Sequence, residues 1–193
     1  VLEAIETASE QFSEGVVGAG TGMCCMGLKG GIGSASRLLT YDGREYTVGA
    51  VLMSNFGMAG NLRIDGRRVD TAEPEQDTPE KGSVIIVIGT DIPFSERQLK
   101  RVAKRAVVGL SRTGSFLGNG SGDIAVAFST GNIVPHYSEK RVLPMNMFHD
   151  NAIDKVFEAA AEAVEEAVIS SLYHAETVTG IREKTVFGLK RYI

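Results

Sequence analysis

The chain changes character abruptly between Gly82 and Ser83. Upstream, Asp65 to Gly82 reads DGRRVDTAEPEQDTPEKG, with two prolines and one large apolar residue. Such a stretch has too little apolar surface to pack and is expected to be an exposed loop. Downstream, Ser83 opens the run SVIIVIG. A continuous apolar run of that length predicts a strand buried on both faces. Whatever fold the chain adopts must therefore seat a core strand directly behind a polar loop, with only Gly-Ser between them.

The remaining elements fall around that strand. Residues 46–56, YTVGAVLMSNF, are rich in β-branched and aromatic types and predict another strand. Ser95 and Gln98 form a capping-box pattern. Behind them Leu99, Val102, Ala103, Ala106, Val107 and Leu110 recur at helical spacing, with basic residues on the opposite side. The run KRVAKR is read as the solvated side of that helix rather than as a nucleic-acid patch. DIAVAFS (Asp123 to Ser129) predicts a further buried strand. A long helix is expected from about Asn151 to Tyr173, with Ile153, Val156, Phe157, Ala160, Val164, Val168 and Leu172 as its apolar stripe. Strands and helices come in blocks, which favours layered α+β packing. At 193 residues the chain suits one domain able to bury a sizeable core.

Several functional classes are disfavoured. A net charge of -4 offers no whole-chain attraction to nucleic acid or anionic membrane. No stretch approaches the ~18 apolar residues of a spanning helix. Cys24 and Cys25 are adjacent, which excludes a disulfide framework and a CxxC zinc site, and both thiols are expected to pack as small hydrophobes. His136, His149 and His174 are dispersed and make no metal-ligand pattern, so no metal is expected. Reduced cysteines and no visible signal sequence point to the cytoplasm.

Glycine is over-represented, with eight of the 23 between residues 15 and 34. GAGTGM lacks the last glycine of a dinucleotide fingerprint, because position 23 is Met23. Lys29-Gly30-Gly31-Ile32-Gly33-Ser34 lacks the lysine of a phosphate loop. No nucleotide cofactor is implied, and the segment reads as a looping platform supporting a site built elsewhere.

Three groups could carry chemistry. Ser83, if freed by cleavage after Gly82, would place a hydroxyl beside an α-amine of pKa near ~7.7–8.0, a nucleophile with its own base. Ser121 and Asp123, in NGSGD, could project from one side and relay a proton. Asn55 could donate to a developing oxyanion. Taken alone, each also has a plainer reading as a loop end, an Asx/Ser turn and a turn asparagine.

Together these residues resemble the self-processing N-terminal-serine aminopeptidases, the L-aminopeptidase/D-esterase or β-aminopeptidase family. The resemblance covers GAGTGM…KGGIGSASR, VGAVLMSNFG, the block from Gly82 to Ser115, NGSGDIAVAFST and HAETVTG. It implies self-cleavage between Gly82 and Ser83 into an α piece (1–82) and a β piece (83–193), with Ser83 as nucleophile for cleavage and hydrolysis. It further implies Ser121 and Asp123 as its proton partners, Asn55 at the oxyanion, no cofactor, and assembly as a tetramer of αβ units. The implied fold is a four-layer α/β/β/α sandwich similar to N-terminal nucleophile hydrolases but connected differently. The implied substrate is a short peptide, amino-acid amide or ester.

Two departures accompany the resemblance. Family members usually carry a long segment before the region that begins here at Val1, including groups that recognise the substrate amine. Either this is a fragment, or the missing part is a separate chain, or this member is shortened, and an uncleaved structural relative is the alternative reading. Asp123 stands where some relatives have glutamate, one methylene longer. A related ornithine acetyltransferase architecture uses threonine as nucleophile, which Ser83 argues against.

Overall fold

The computed structural model describes residues 2–71 and 80–193. Its centre is a four-stranded sheet of β1 (Ile32–Tyr41), β2 (Arg44–Asn55), β3 (Ser83–Thr90) and β4 (Ile124–Ser129), side by side in that order. The first three strands alternate in direction, and β4 lies parallel to β3. The β1–β2 hairpin turns on Asp42 and Gly43, at φ of 51° and 76°. Positive φ at both central residues is the turn geometry that Asp-Gly favours. Between β3 and β4 the chain passes through α1 (Glu96–Ala103) and α2 (Ala106–Arg112). The later helix, α3 (Asp154–Tyr173), lies across β1 and β2.

The expected capping box is present. Ser95 Oγ accepts from the Gln98 N–H at 3.4 Å, and Gln98 Oε1 accepts from the Ser95 N–H at 3.0 Å. The helix it starts is not continuous, however, and breaks at Lys104 and Arg105. Beyond the break Gly109 and Leu110 are buried, with Gly109 close against the α3 backbone. Val107, expected in the apolar stripe, is 47% exposed. The basic residues are used within the fold. The guanidinium groups of Arg101 and Arg105 lie 5.1 Å and 3.8 Å from the centre of the Phe157 ring, a favourable cation–π placement. Arg97 and Arg101 both pair with Asp150.

Among the described residues, helices pack over one face of the sheet. Val48, Ala50 and Leu52 of β2 and Val84, Ile86 and Ile88 of β3 are buried with the α3 stripe from Ile153 to Leu172. The opposite face presents Met53, Ile85 and Ile124 in one cross-strand row and Val51, Val87 and Val126 in the next. Ile85, Ile124, Val126 and Phe128 are each about half exposed, between 45% and 56%. The expectation that β3 and β4 are buried on both faces is therefore corrected. Strand periodicity sends alternate side chains to opposite faces, and among the described residues a helical layer lies against one of them. Of the four layers implied by the resemblance, the described residues supply one helical layer and one four-stranded sheet layer.

Two further expectations change. The polar stretch after Asp65 is not uniformly exposed: Thr71 and Glu80 are 3% and 7% accessible, and residues 72–79 lie outside the described residues. Of the cysteines, Cys25 is buried, and burial pushes its thiol up to about 12. Cys24 is exposed, because the two-residue strand Cys24–Cys25 points its neighbours to opposite sides. No helix among the described residues is long and apolar enough to cross a membrane.

One glycine fixes how closely α3 approaches the sheet. A Cβ at Gly33 on β1 would overlap the Ala167 carbonyl oxygen and crowd the Ser171 nitrogen of α3. These are backbone atoms, so relief requires the helix to move. Overpacking of this kind typically costs ~1–3 kcal/mol and occasionally more. Gly33→Ala is expected to destabilise the fold by about 3 kcal/mol, lowering Tm by roughly 6–12 °C for a domain of this size. Thermal unfolding followed by circular dichroism checks it; an unchanged Tm would mean that α3 rides on the sheet without fixed spacing.

Candidate active site

Ser83 is the first residue of β3, and it pairs directly with Asn55, the last residue of β2. Opposed residues on antiparallel strands send their side chains to the same face, with Cβ atoms ~4.5–5.5 Å apart. Both belong to the row set that faces away from the helices. The sequence candidates Asn55 and Ser83, 28 residues apart, thus become neighbours through strand register.

The hydroxyl of Ser83 engages the peptide group ahead of it. Ser83 Oγ donates to the Gly82 carbonyl oxygen at 2.7 Å and accepts from the Gly122 N–H at 3.2 Å. The same Gly122 N–H lies 3.3 Å from the Gly82 oxygen. One backbone amide therefore bridges a hydroxyl and the carbonyl next to it. Close backbone approach makes glycine necessary around this point. A Cβ on Gly82 would overlap the Asn55 carbonyl oxygen and sit 2.5 Å from Phe56 Cα, and one on Gly122 would sit 3.1 Å from Ser83 Oγ.

The amide of Asn55 is oriented by its surroundings. Its Oδ1 accepts from the Cys24 N–H at 3.1 Å. An N–H can only donate, so this bond fixes which end is oxygen and leaves the Nδ2 donors facing elsewhere. Cys24 is itself held by the glycine platform. Lys29, 2% accessible, donates from Nζ to the carbonyl oxygens of Gly20 (3.1 Å), Met23 (2.5 Å) and Gly30 (2.7 Å). Burial holds its ammonium below the ordinary lysine range. Lys29, which opens the KGGIGS run, is thus taken up by three backbone carbonyls.

Ser121 and Asp123 also meet as expected: Ser121 Oγ donates to Asp123 Oδ1 at 2.7 Å. They flank Gly122, whose N–H touches Ser83, and among the described residues neither side chain is hydrogen-bonded to Ser83 Oγ itself. Sequence reasoning missed the Gly122 amide, the Cys24 N–H and the buried carboxylate of Glu80. The glycines at 118, 120 and 122 were the available signal for the first, since glycine is used where another backbone approaches closely. Of the histidines, His174 Nδ1 lies 3.0 Å from Glu14 and His149 accepts from the Asn151 N–H; both are far in sequence from this site.

Comparison with known proteins supplies the family. The model of peptidase family S58 matches residues 1–186. The β-peptidyl aminopeptidase BapA of Sphingosinicella microcystinivorans is 41% identical across 96% of the chain and 51% of that relative. The crystal structure of the PH0078 protein from Pyrococcus horikoshii OT3 is 51% identical. It superposes with a TM-score of 0.88 over 98% of the chain and 52% of that structure. The L-aminopeptidase D-Ala-esterase/amidase of Ochrobactrum anthropi, described as a prototype for the serine aminopeptidases and a variant of the Ntn hydrolase fold, is 38% identical. Its TM-score is 0.87, with 98% of the chain and 53% of that structure covered. The chain spans about half the length of these relatives, and the mixed α/β fold is that of the Ntn-like neighbour. By the extent of the match, from the glycine platform through the Gly82–Ser83 junction to the C-terminal turns, the chain belongs to peptidase family S58.

Proposed function

We propose that the chain is a self-cleaving serine aminopeptidase, acting on short peptides, amino-acid amides or esters with a free amine. The observation that carries this reading is the junction geometry: Ser83 Oγ on the Gly82 carbonyl, the Gly122 N–H on both oxygens, and Asn55 in register opposite. In the first step Ser83 Oγ bonds to the Gly82 carbonyl carbon. The developing oxyanion is the Gly82 oxygen, to which the Gly122 N–H already points. The C–N bond to Ser83 breaks, the nitrogen takes up the hydroxyl proton, and the resulting ester is hydrolysed by water. The pieces 1–82 and 83–193 remain neighbours, because β2 belongs to one and β3 to the other.

Cleavage leaves Ser83 with a free α-amine, able to accept the hydroxyl proton near neutral pH. A substrate carbonyl is then attacked by Ser83 Oγ, with the Asn55 amide as donor to the new oxyanion. The leaving amine departs protonated and water releases the acyl group. The Ser121–Asp123 pair lies one residue to either side of Gly122, where it orients this proton traffic. The names of the relatives support a β-amino-acyl or L-amino-acyl substrate. Tetrameric assembly of αβ units and a reducing compartment, where Cys24 stays a free thiol, belong to the same reading.

The test is the intact mass of the purified chain alongside hydrolysis of β-alanyl and L-alanyl p-nitroanilide. Two fragments divided after Gly82 and release of p-nitroaniline are expected. A lone 20.6 kDa species without hydrolysis would overturn the reading and favour the uncleaved structural relative.

A further inference from the structure

Glu80 lies three residues before Ser83 in a polar stretch, yet it is only 7% accessible. Its carboxylate makes two backbone contacts on opposite sides. Oε1 accepts from the Gly57 N–H at 2.7 Å, and Oε2 accepts from the Gly118 N–H at 3.0 Å. Gly57 follows Asn55 by two residues, and Gly118 precedes Ser121 by three. Among the described residues no Lys, Arg or His pairs with it. A buried carboxylate without a cation is costly unless its oxygens are well satisfied, and charge-assisted bonds to amides are about twice as strong as neutral ones. Filling space or closing a loop would need no such charge.

The glycines around it show how tightly the segment is seated. A Cβ on Gly118 would stand 2.6 Å from Glu80 Oε2, and one on Gly120 would overlap the Glu80 carbonyl oxygen. Two residues on, Gly82 lies against the Asn55–Phe56 backbone and Gly122 reaches the Gly82 oxygen. The three segments that supply Asn55, the Gly82–Ser83 peptide and Gly122 are thus joined at one carboxylate. The loop 118–122 otherwise meets the junction through the bifurcated Gly122 N–H, at 3.2 Å and 3.3 Å. Pairing of β4 with β3 from Ile124 onward holds the end of this loop that enters the sheet, and the carboxylate holds its other end at Gly118.

We propose that Glu80 is a positioning residue for self-cleavage, clamping the Asn55–Gly57 turn and the Gly118–Gly122 loop onto the scissile peptide through its two oxygens. The inference rests on the Gly82–Ser83 cleavage reading above. Glutamine has the same shape but one oxygen, so it can satisfy only one of the two amides and turns an N–H₂ toward the other. Glu80→Gln is therefore expected to slow cleavage at least ~10-fold. In the cleaved protein the Gly82 carbonyl has become a carboxylate and no longer reacts, while the clamp still holds the turn of Asn55 and the loop of Ser121 and Asp123, so kcat per cleaved molecule is expected to fall as well, with KM within about threefold of the parent.

The experiment follows cleavage of newly synthesised full-length chain on denaturing gels for the parent, Ser83→Ala, Glu80→Gln and Gly118→Ala. Thermal unfolding of Ser83→Ala with and without Glu80→Gln measures folding in the uncleaved state. Gly118→Ala presses on the same carboxylate without altering its charge, and decides the matter if Glu80→Gln does not fold. Slowed cleavage in a folded chain, with KM of the cleaved fraction retained, is the expected result. Cleavage within twofold of the parent in Glu80→Gln, or in Gly118→Ala where that variant decides, would overturn the clamp while leaving the functional reading intact. So would losses of cleavage and kcat that only track the unfolded fraction. No cleavage in the parent would overturn both.

Discussion

Ser83→Ala is expected to keep the chain whole at 20.6 kDa and to lower hydrolysis by at least ~10⁴-fold. The substitution removes the one oxygen that both donates to the Gly82 carbonyl and accepts from the Gly122 N–H. Without it the peptide bond has no internal attacker, so the α-amine that would act as base is never released. Two losses therefore follow from one atom. The fold should not suffer: Ser83 is exposed at a strand end, and surface substitutions usually stay within ~0.5 kcal/mol. Intact mass, activity on an amino-acyl p-nitroanilide and a Tm measured together separate chemistry from unfolding. If Ser83→Ala is still cut after Gly82, another group performs the cleavage and Ser83 loses its role. Ser83→Thr is the informative intermediate, since it keeps the hydroxyl while adding a methyl where Gly122 already approaches closely.

The sequence offered candidate residues for the site but not their arrangement. Ser83, Asn55, Ser121 and Asp123 were candidates from residue type and local context, each with a plainer reading beside it, and only the resemblance to the N-terminal-serine aminopeptidases gave them joint roles. Their assembly depends on register, and register comes from the hairpin at Asp42-Gly43 and from which face α3 covers. The strand Ile32–Tyr41 went unread because glycine and serine dilute its start, although the Asp-Gly pair behind it carried a hairpin signal. Burial misled for a different reason. Ile85, Val126 and Phe128 are as apolar as residues in a doubly covered strand, and a one-dimensional pattern cannot distinguish a covered face from a bare one. Glu80 was hidden by its neighbours: a glutamate in PEQDTPEKG looks like solvent-facing charge until Gly57 and Gly118 are seen to point their amides at it.

Asn55→Asp should separate the two steps that share the site. Aspartate keeps an oxygen for the Cys24 N–H, the contact that Oδ1 makes at 3.1 Å, so the turn after β2 has no reason to rearrange. It replaces the Nδ2 donors with a second, negatively charged oxygen, placed beside Ser83 where substrate oxyanion charge would develop. Loss of one oxyanion donor typically lowers kcat by ~10²–10³. Like-charge repulsion adds to this, so kcat is expected to fall by at least ~10³-fold, with KM changing far less because the charge appears only in the transition state. Asn55→Ala, which removes the donor without adding charge, should fall between the parent and Asn55→Asp. Self-cleavage should persist in both, because the oxyanion formed on Gly82 is served by the Gly122 N–H instead. Steady-state kinetics on the cleaved fraction, read beside the fraction cleaved, checks the division. A kcat within threefold of the parent for Asn55→Asp would remove Asn55 from the oxyanion site and reduce it to a turn residue. The Gly122 amide would then have to serve the substrate oxyanion as well as the cleavage one.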